Sequence, residues 1–298
     1  MDTALILKKK RRLGETISKT QIDALLGRSK VVEAIVNADY RTDRFTGLRK
    51  LEFLLTELSE IPDTIGLEKT SIMLNELITH TKQGEGFSLS DGEKGVLACH
   101  QAMITLIMIR FDQKQLAEHG VDWIMKYQIT QRGQVCNWRG CDLYQRFGCV
   151  GKTPCYDGLV KSMKALAEFQ RAYGKDADIQ QKLTAGITYI LEHEVYKTMD
   201  RTATLGSDIT KLFYPYPYRT NLIELLSLLQ QEGYLSDERV KDARAMLASK
   251  RESDGGFKAE KIFMQSSWVP FDKLKETGEW LTDEIESILN DPLVKAEK

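Results

Sequence analysis

Apolar residues in this chain recur at helical spacing almost throughout, and few stretches alternate with the period of two that marks a half-buried strand. From about Asp91 the helices come in pairs, an apolar one followed by an amphipathic one and then, in most cases, a loop containing glycine. In the first pair, VLACHQAMITLIMIRF is apolar nearly all round, as a helix covered on most sides must be. Its partner, QLAEHGVDWIMKYQ, puts Leu116, Val121, Ile124 and Met125 on one stripe. YDGLVKSMKALAEFQRA and DIQQKLTAGITYILEHEVY form the second pair, with Ile179, Leu183, Ile187, Ile190 and Leu191 on one face of the latter. The third joins NLIELLSLLQQEGYL to DERVKDARAMLASKR, where Ser236 or Asp237 is placed to cap the helix start and Asp254-Gly255-Gly256 to stop it.

Three helix ends share a spacing. With Thr81, Gln128 and Arg251 set equivalent, a glycine follows five residues later at Gly86, Gly133 and Gly256, and Phe87 and Phe257 come directly after the first and third. The loop after His193 lacks that glycine, so the repeat is imperfect. A helical hairpin recurring every ~45 to 65 residues predicts an all-α fold, either an α-solenoid or a closed ring of hairpins. Before residue 90 the pattern loosens, and KVVEAIVNADY, FTGLRKLEFLLTELSEI and GLEKTSIMLNELITHTKQ read as three helices extending the same layer. No linker rich in Pro, Gly or Ser demands a second domain. The chain reads as an N-terminal helical extension, residues 1–64, continuous with a repeat region, 65–298.

At 298 residues, 42% apolar and 29% charged, the composition is that of a soluble globular protein able to bury a substantial core. A formal charge of -1 supplies no long-range field and argues against a nucleic acid or an anionic membrane as partner. The one basic run, Lys8-Lys9-Lys10-Arg11-Arg12, follows a very short apolar stretch, the reverse of a signal peptide, and reads as a solvated, frayed terminus. The most apolar run, Val96 to Phe111, is broken by His100, Gln101 and Arg110 and falls short of the roughly 20 residues of a membrane span. These features predict a cytoplasmic protein without a transmembrane segment, its thiols reduced rather than paired in disulfides.

Four of the five cysteines lie in the run CNWRGCDLYQRFGCVGKTPC, at Cys136, Cys141, Cys149 and Cys155, in the connection between the first and second pairs. Four, seven and five residues separate them, so no Cys-x-x-Cys knuckle exists, although a loop can converge irregular thiolates on zinc. The alternatives are thiols packed as small apolar groups, or a redox-active pair in which Arg139, Arg146 or Lys152 lowers a thiol pKa and makes it reactive. Asp157 is either a general acid or the cap of the helix that follows. His100 reads as a core histidine bonded to a neighbour rather than as a base. In LFYPYPYRT, Tyr214, Tyr216 and Tyr218 precede an apolar helix with Arg219 near its start, and Trp138 and Tyr156 add rings in the cysteine stretch. Those rings either meet a ligand or pack on outer helices, and Arg219 either holds an anion or pairs with an acid.

The ending AMLASKRESDGGF, and more weakly DWIMKYQITQRGQ, is similar to the repeat ends of terpenoid cyclases and protein prenyltransferases. The block from Lys211 to Phe257 resembles bacterial squalene-cyclase-like, prenyltransferase-like repeat proteins, in which an aromatic-proline-Tyr-Arg segment opens the inner helix. GKTPCYDGLVKSMKALAEF resembles their Lys-x-x-Cys segment. The resemblance spans roughly residues 65 to 290 and is strong over 149 to 260. It implies an α/α toroid with inner helices around a central cavity, and it makes Cys155 a thiol at the cavity rim. The activities of those families do not carry over. No Asp-x-Asp-Asp acid motif is present, Asp176-Ala177-Asp178 being the nearest approach and reading as a helix cap. Thr153 stands where a zinc-binding Asp of the prenyltransferases would be, and no histidine follows His193.

The expectation is therefore a cavity protein that takes an apolar, isoprenoid-like ligand among Trp138, Tyr156, Tyr214, Tyr216, Tyr218 and Arg219. One alternative is a prenyl, terpenoid, thiol or zinc enzyme centred on Cys155 with Asp157. The other is a helical-repeat scaffold for a protein partner.

Overall fold

The computed structural model describes residues 1–90, 95–136, 138, 153–264 and 266–292. Twelve α-helices account for most of them. Three open the chain, α1 (Thr3–Arg12), α2 (Lys19–Gly27) and α3 (Lys30–Val36). Four pairs follow: α4 (Phe45–Ser59) with α5 (Glu68–Thr81), α6 (Ala98–Arg110) with α7 (Lys114–Tyr127), α8 (Tyr156–Tyr173) with α9 (Ala177–Glu192), and α10 (Leu222–Gln231) with α11 (Lys241–Ser249). The last helix is α12 (Glu279–Leu289). The only sheet among the described residues is a two-stranded antiparallel turn, β1 (Lys82–Gln83) and β2 (Gly86–Phe87).

Each predicted pair is a packed pair, and the first members of successive pairs pack on one another in chain order, α4 on α6, α6 on α8 and α8 on α10. Their sequences explain the layering. Every residue of α6 from Ala98 to Ile109 is buried, whereas α7 buries one face through Ala117, Gly120, Val121, Trp123 and Ile124. Gly120 lets the two approach: a Cβ there would lie 2.1 Å from Thr105 Oγ1, so alanine would force the helices apart. Fully burying each Leu or Ile of these stripes contributes about 1.5–3 kcal/mol. Caps fall where short polar side chains predict them. Asp176 accepts from the N–H groups of Asp178 and Ile179 at the start of α9, and Asn221 accepts from Glu224 at the start of α10. Asp237 caps a 3-10 turn, Glu238–Val240, that leads into α11.

The glycine–phenylalanine spacing has a structural meaning. Phe87 and Phe257 are fully buried, and the backbone N–H of each is held by the next buried helix. Phe87 donates to Gln101 Oε1 of α6 at 2.6 Å, and Phe257 to Thr282 Oγ1 of α12 at 3.0 Å. One apolar cluster runs from Ala4 to Ile288, and α4 and α5 pack across residue 64, so the N-terminal helices share the core of the repeats.

The basic run of α1 is not a frayed terminus. Lys8 pairs with Glu284 at 3.2 Å, Lys9 with Asp283 at 3.5 Å and Arg12 with Asp283 at 2.5 Å, which fastens α1 to α12. Arg11 reaches Asp63 through two hydrogen bonds of 2.8 Å. The acids lie far along the chain, so local pattern gives no sign of them.

Glu57 on α4 is fully buried; one oxygen accepts from the Val269 N–H at 2.7 Å and the other has no hydrogen-bond partner. Burial therefore pushes its carboxyl well above the ordinary value of 4.5. The folded chain then keeps a proton that the unfolded chain releases, so this group lowers stability as pH rises from about 4.5 toward the raised value. Glu57→Gln, which mimics the protonated acid, is expected to flatten that decline in denaturant titrations at successive pH values.

Candidate functional site

The interior between the buried helices is filled and charged. Lys161 on α8 lies 2.5 Å from Glu224 on α10, both about 1% exposed, and Lys164 lies 3.5 Å from the same carboxylate. Arg110 bridges Glu60 at 2.7 Å and Glu168 at 2.8 Å. Burial alone would raise the Glu60 carboxyl, but Arg110, Lys164 and Lys8 together hold it far below the usual carboxylate range. A void of only about 10 Å³ remains among Thr56, Met103, Lys161, Lys164 and Tyr216, which leaves no room there for an isoprenoid chain.

Two of the three tyrosines expected at a mouth are part of this interior. Tyr214 accepts from Lys8 Nζ and donates to Glu60 at 3.1 Å; Tyr216 donates to Glu284 at 2.9 Å and lies under Lys164, 4.2 Å from its ring centre. Only Tyr218 and Arg219 reach an open cleft. Trp138 is also inside, edge-on to Tyr127 at 4.7 Å and to Trp123 at 5.5 Å, where it closes the end of α7.

Two adjoining open spaces lie where the buried helices begin, apart from a shallower one of about 320 Å³ among Leu26, Val32, Val36 and Leu67. A cleft of about 170 Å³ is walled by Phe45 and Arg49 of α4, the neighbouring Cys99 and His100 of α6, Cys155 just ahead of α8, and Tyr218 and Arg219 ahead of α10, with Cys99 the more buried of the two thiols. A second space, about 300 Å³, shares Cys155, Asp157 and Arg219 with it and is closed by the segment from Leu205 to Ile209. The N-terminal ends of α4, α6, α8 and α10, each the positive end of a helix dipole, thus lie around one region.

Cys155 occupies the N-cap position of α8, and its side chain makes no capping hydrogen bond. This corrects the reading of Asp157 as the cap. Asp157 sits in the first turn and instead ties α8 to α10, accepting from the Thr220 N–H and from Arg219 Nη1, each at 2.9 Å. Burial raises the Asp157 carboxyl, opposed by those two donors and by Lys161. Gly158 docks α8 on α6: a Cβ there would lie 2.9 Å from Ala98 Cβ and 3.6 Å from the Cys99 nitrogen. Burial pushes the Cys99 thiol well up, and nearby Cys155 and Asp157 add to the shift. Tyr156 borders the second space, its hydroxyl donating to the Val195 carbonyl beside His193.

His100 is the buried, neighbour-bonded histidine that its place in an apolar helix predicts, and it also borders the cleft. Its Nδ1 lies 2.6 Å from Glu52 Oε2, as a core histidine's would, yet the ring also lines the cleft with Cys155. Phe53 stacks on the ring at 6.1 Å and Phe45 meets it edge-on at 6.4 Å, which fixes its plane. Glu52 is fully buried, and burial raises its carboxyl while His100 draws it back down. With Nδ1 committed to Glu52, Nε2 is the ring atom left for chemistry. Neither Glu52 nor Arg49 stands out in a linear reading, although Phe45, Arg49, Glu52 and Phe53 at i, i+4, i+7 and i+8 share one face of α4, where two charges among apolar residues are the available signal.

For the cysteine cluster, Cys136 is buried and donates to the Tyr127 carbonyl at 3.6 Å, while Cys141 and Cys149 lie outside the described residues. Among the described residues no three His, Cys, Asp or Glu side chains are placed to hold a metal. With Thr153 in place of the acid ligand, the described residues do not fit the zinc of the prenyltransferases. No described helix is long and apolar enough to cross a membrane. Comparisons with family models, curated proteins and solved structures give no match to this chain.

Proposed function

We propose that the cleft is a thiol-dependent catalytic site, with Cys155 as nucleophile, His100 as its acid–base partner and Glu52 as the residue that orients His100. The observation that carries this reading is the shared wall: a cysteine at the start of α8 faces the same 170 Å³ space as a histidine whose other nitrogen is held by a buried carboxylate. The positive end of α8 favours a thiolate at that position. The reaction class is acyl transfer. His100 Nε2 takes the thiol proton, sulfur attacks the carbonyl carbon, and the bond to the leaving group breaks as His100 returns the proton to it. Water then adds to the thioester with His100 again taking a proton, the C–S bond breaks, and the carboxylic acid and free thiol are regenerated. First-turn N–H groups of α8 are positioned to stabilise the developing oxyanion. Phe45 and Tyr218 supply an apolar wall, so a substrate joins a short apolar portion to its acyl group.

We also propose that the four hairpins form part of an α/α toroid of the squalene-cyclase-like, prenyltransferase-like kind. Its support is the consecutive packing of α4, α6, α8 and α10, each backed by its own outer helix. A ligand would then occupy the rim at the helix starts rather than the ionic centre.

p-Nitrophenyl acetate tests the chemistry. The expected result is a burst of p-nitrophenolate and an acetyl group on Cys155 by peptide mass spectrometry, both abolished in Cys155→Ala with the melting temperature nearly unchanged. Acetylation of other residues only, at a rate untouched by Cys155→Ala, would refute the assignment.

A further inference from the structure

Among the described residues that line the cleft, Arg49 is the one guanidinium with no ion pair to an acid. Arg219 beside it is held by Asp157 at 2.9 Å, and Arg110 in the interior by Glu60 and Glu168. Arg49 makes no hydrogen bond or ion pair among the described residues, and its Nε is buried without a partner. Two rings hold the group in place: its central carbon lies 5.3 Å from the Phe45 ring centre and 5.9 Å from that of Phe53. The nearby acid, Glu52, is engaged by His100 through Oε2, so the charge of Arg49 acts on it through space only. A half-buried planar donor fork that borders a pocket, its Nε buried and unbonded even to the unpartnered Oε1 of Glu52, is an arrangement that a bound anion completes.

We infer that Arg49 is the anion anchor of this cleft, and that its substrate carries a carboxylate or phosphate group a short distance from the bond broken at Cys155. This rests on the reading of Cys155 as the reactive thiol. The geometry sets an order along the substrate. Its anionic end lies against α4, the reacting carbon lies at the wall shared by both spaces, and the departing portion enters the 300 Å³ space beside Leu205–Ile209. The helix starts around the cleft reinforce the preference for negative charge.

Two alkylating agents that differ only in charge test the anchor. Iodoacetate and iodoacetamide react alike, sulfur displacing iodide as the S–C bond forms and the thiol proton is lost to buffer. Their rate ratio at Cys155, set against the ratio at glutathione, cancels any general change in thiol reactivity. The expected ratio favours iodoacetate about tenfold over the reference, the size of one charge-assisted hydrogen bond. Arg49→Gln is expected to bring it to the reference value and Arg49→Lys to restore part of it. A ratio in Arg49→Gln within about twofold of wild type overturns the anchor.

A second readout does not involve the thiol. Inorganic phosphate or acetate is expected to raise the melting temperature of the wild type and not that of Arg49→Gln, and the more effective anion identifies which group the fork takes. If neither reagent modifies Cys155 but the anion-dependent shift vanishes in Arg49→Gln, the anchor stands and the thiol reading fails. If the shift is equal in both proteins, or absent from both, the anchor is refuted.

Discussion

Glu224→Ala is expected to destabilise the protein by about 3–5 kcal/mol. Glu224 accepts from Lys161 through both oxygens at 2.5 and 2.6 Å, and Thr220 Oγ1 donates to it at 2.9 Å. Its removal leaves the ammonium of Lys161, 1% exposed, without its partner and beside Lys164. A buried pair contributes little net stability, because desolvating two charges offsets their attraction, but half of a pair is costly. The double change Lys161→Met with Glu224→Leu is therefore expected to recover most of the loss. The pH dependence has a definite sign. Burial already lowers the Lys161 pKa, so above the lowered value the unfolded chain binds more protons than the folded one. Stability from this group rises with pH across that window, up to the ordinary lysine value of 10.5, and Glu224→Ala, which lowers the Lys161 pKa further, is expected to begin that rise at lower pH, so its deficit shrinks below the wild-type window. Urea titrations at neutral and alkaline pH measure both effects.

The second large effect belongs to His100. His100→Ala is expected to lower the reaction of Cys155 with electrophiles by about 10²–10⁴-fold, the usual contribution of a positioned general base. Glu52→Gln is expected to act in the same direction but less, since it keeps a hydrogen-bonding oxygen near Nδ1 while removing the charge that supports the imidazolium. A merely structural His100 would leave a different signature. Its loss would lower the melting temperature by opening space beside Phe53 and Tyr218, with Cys155 reacting in the folded protein at an unchanged rate.

The helices were legible because they rest on local pattern. The all-round apolar character of α6 against the single stripe of α7 follows from burial on many sides against one, and the caps at Asp176 and Asn221 need only a short polar side chain before an apolar run. The site was legible in part. Cys155 and Arg219 flank the starts of apolar helices, where a chain reader looks for chemistry. Tyr214 and Tyr216 share that position in sequence but point into the ionic centre, because their partners Lys8, Glu60 and Glu284 lie up to 206 residues away. The same limit hid Glu52, 48 residues from His100, and the acids that gather the basic run of α1. Apolar periodicity predicts which face of a helix is buried, but it does not show when a buried face carries paired charges such as Lys161 and Glu224.

Alkylation of the folded protein tests most directly whether His100 activates Cys155. Limiting iodoacetamide at neutral pH, followed in time by peptide mass spectrometry, gives the rate at each of the five cysteines. Cys155 is expected to react first, well ahead of the buried Cys99 and Cys136, and to slow by at least ~10²-fold in His100→Ala while the other rates hold. A Cys155 rate no greater than that of a free small thiol, and the same in wild type and His100→Ala, would contradict it.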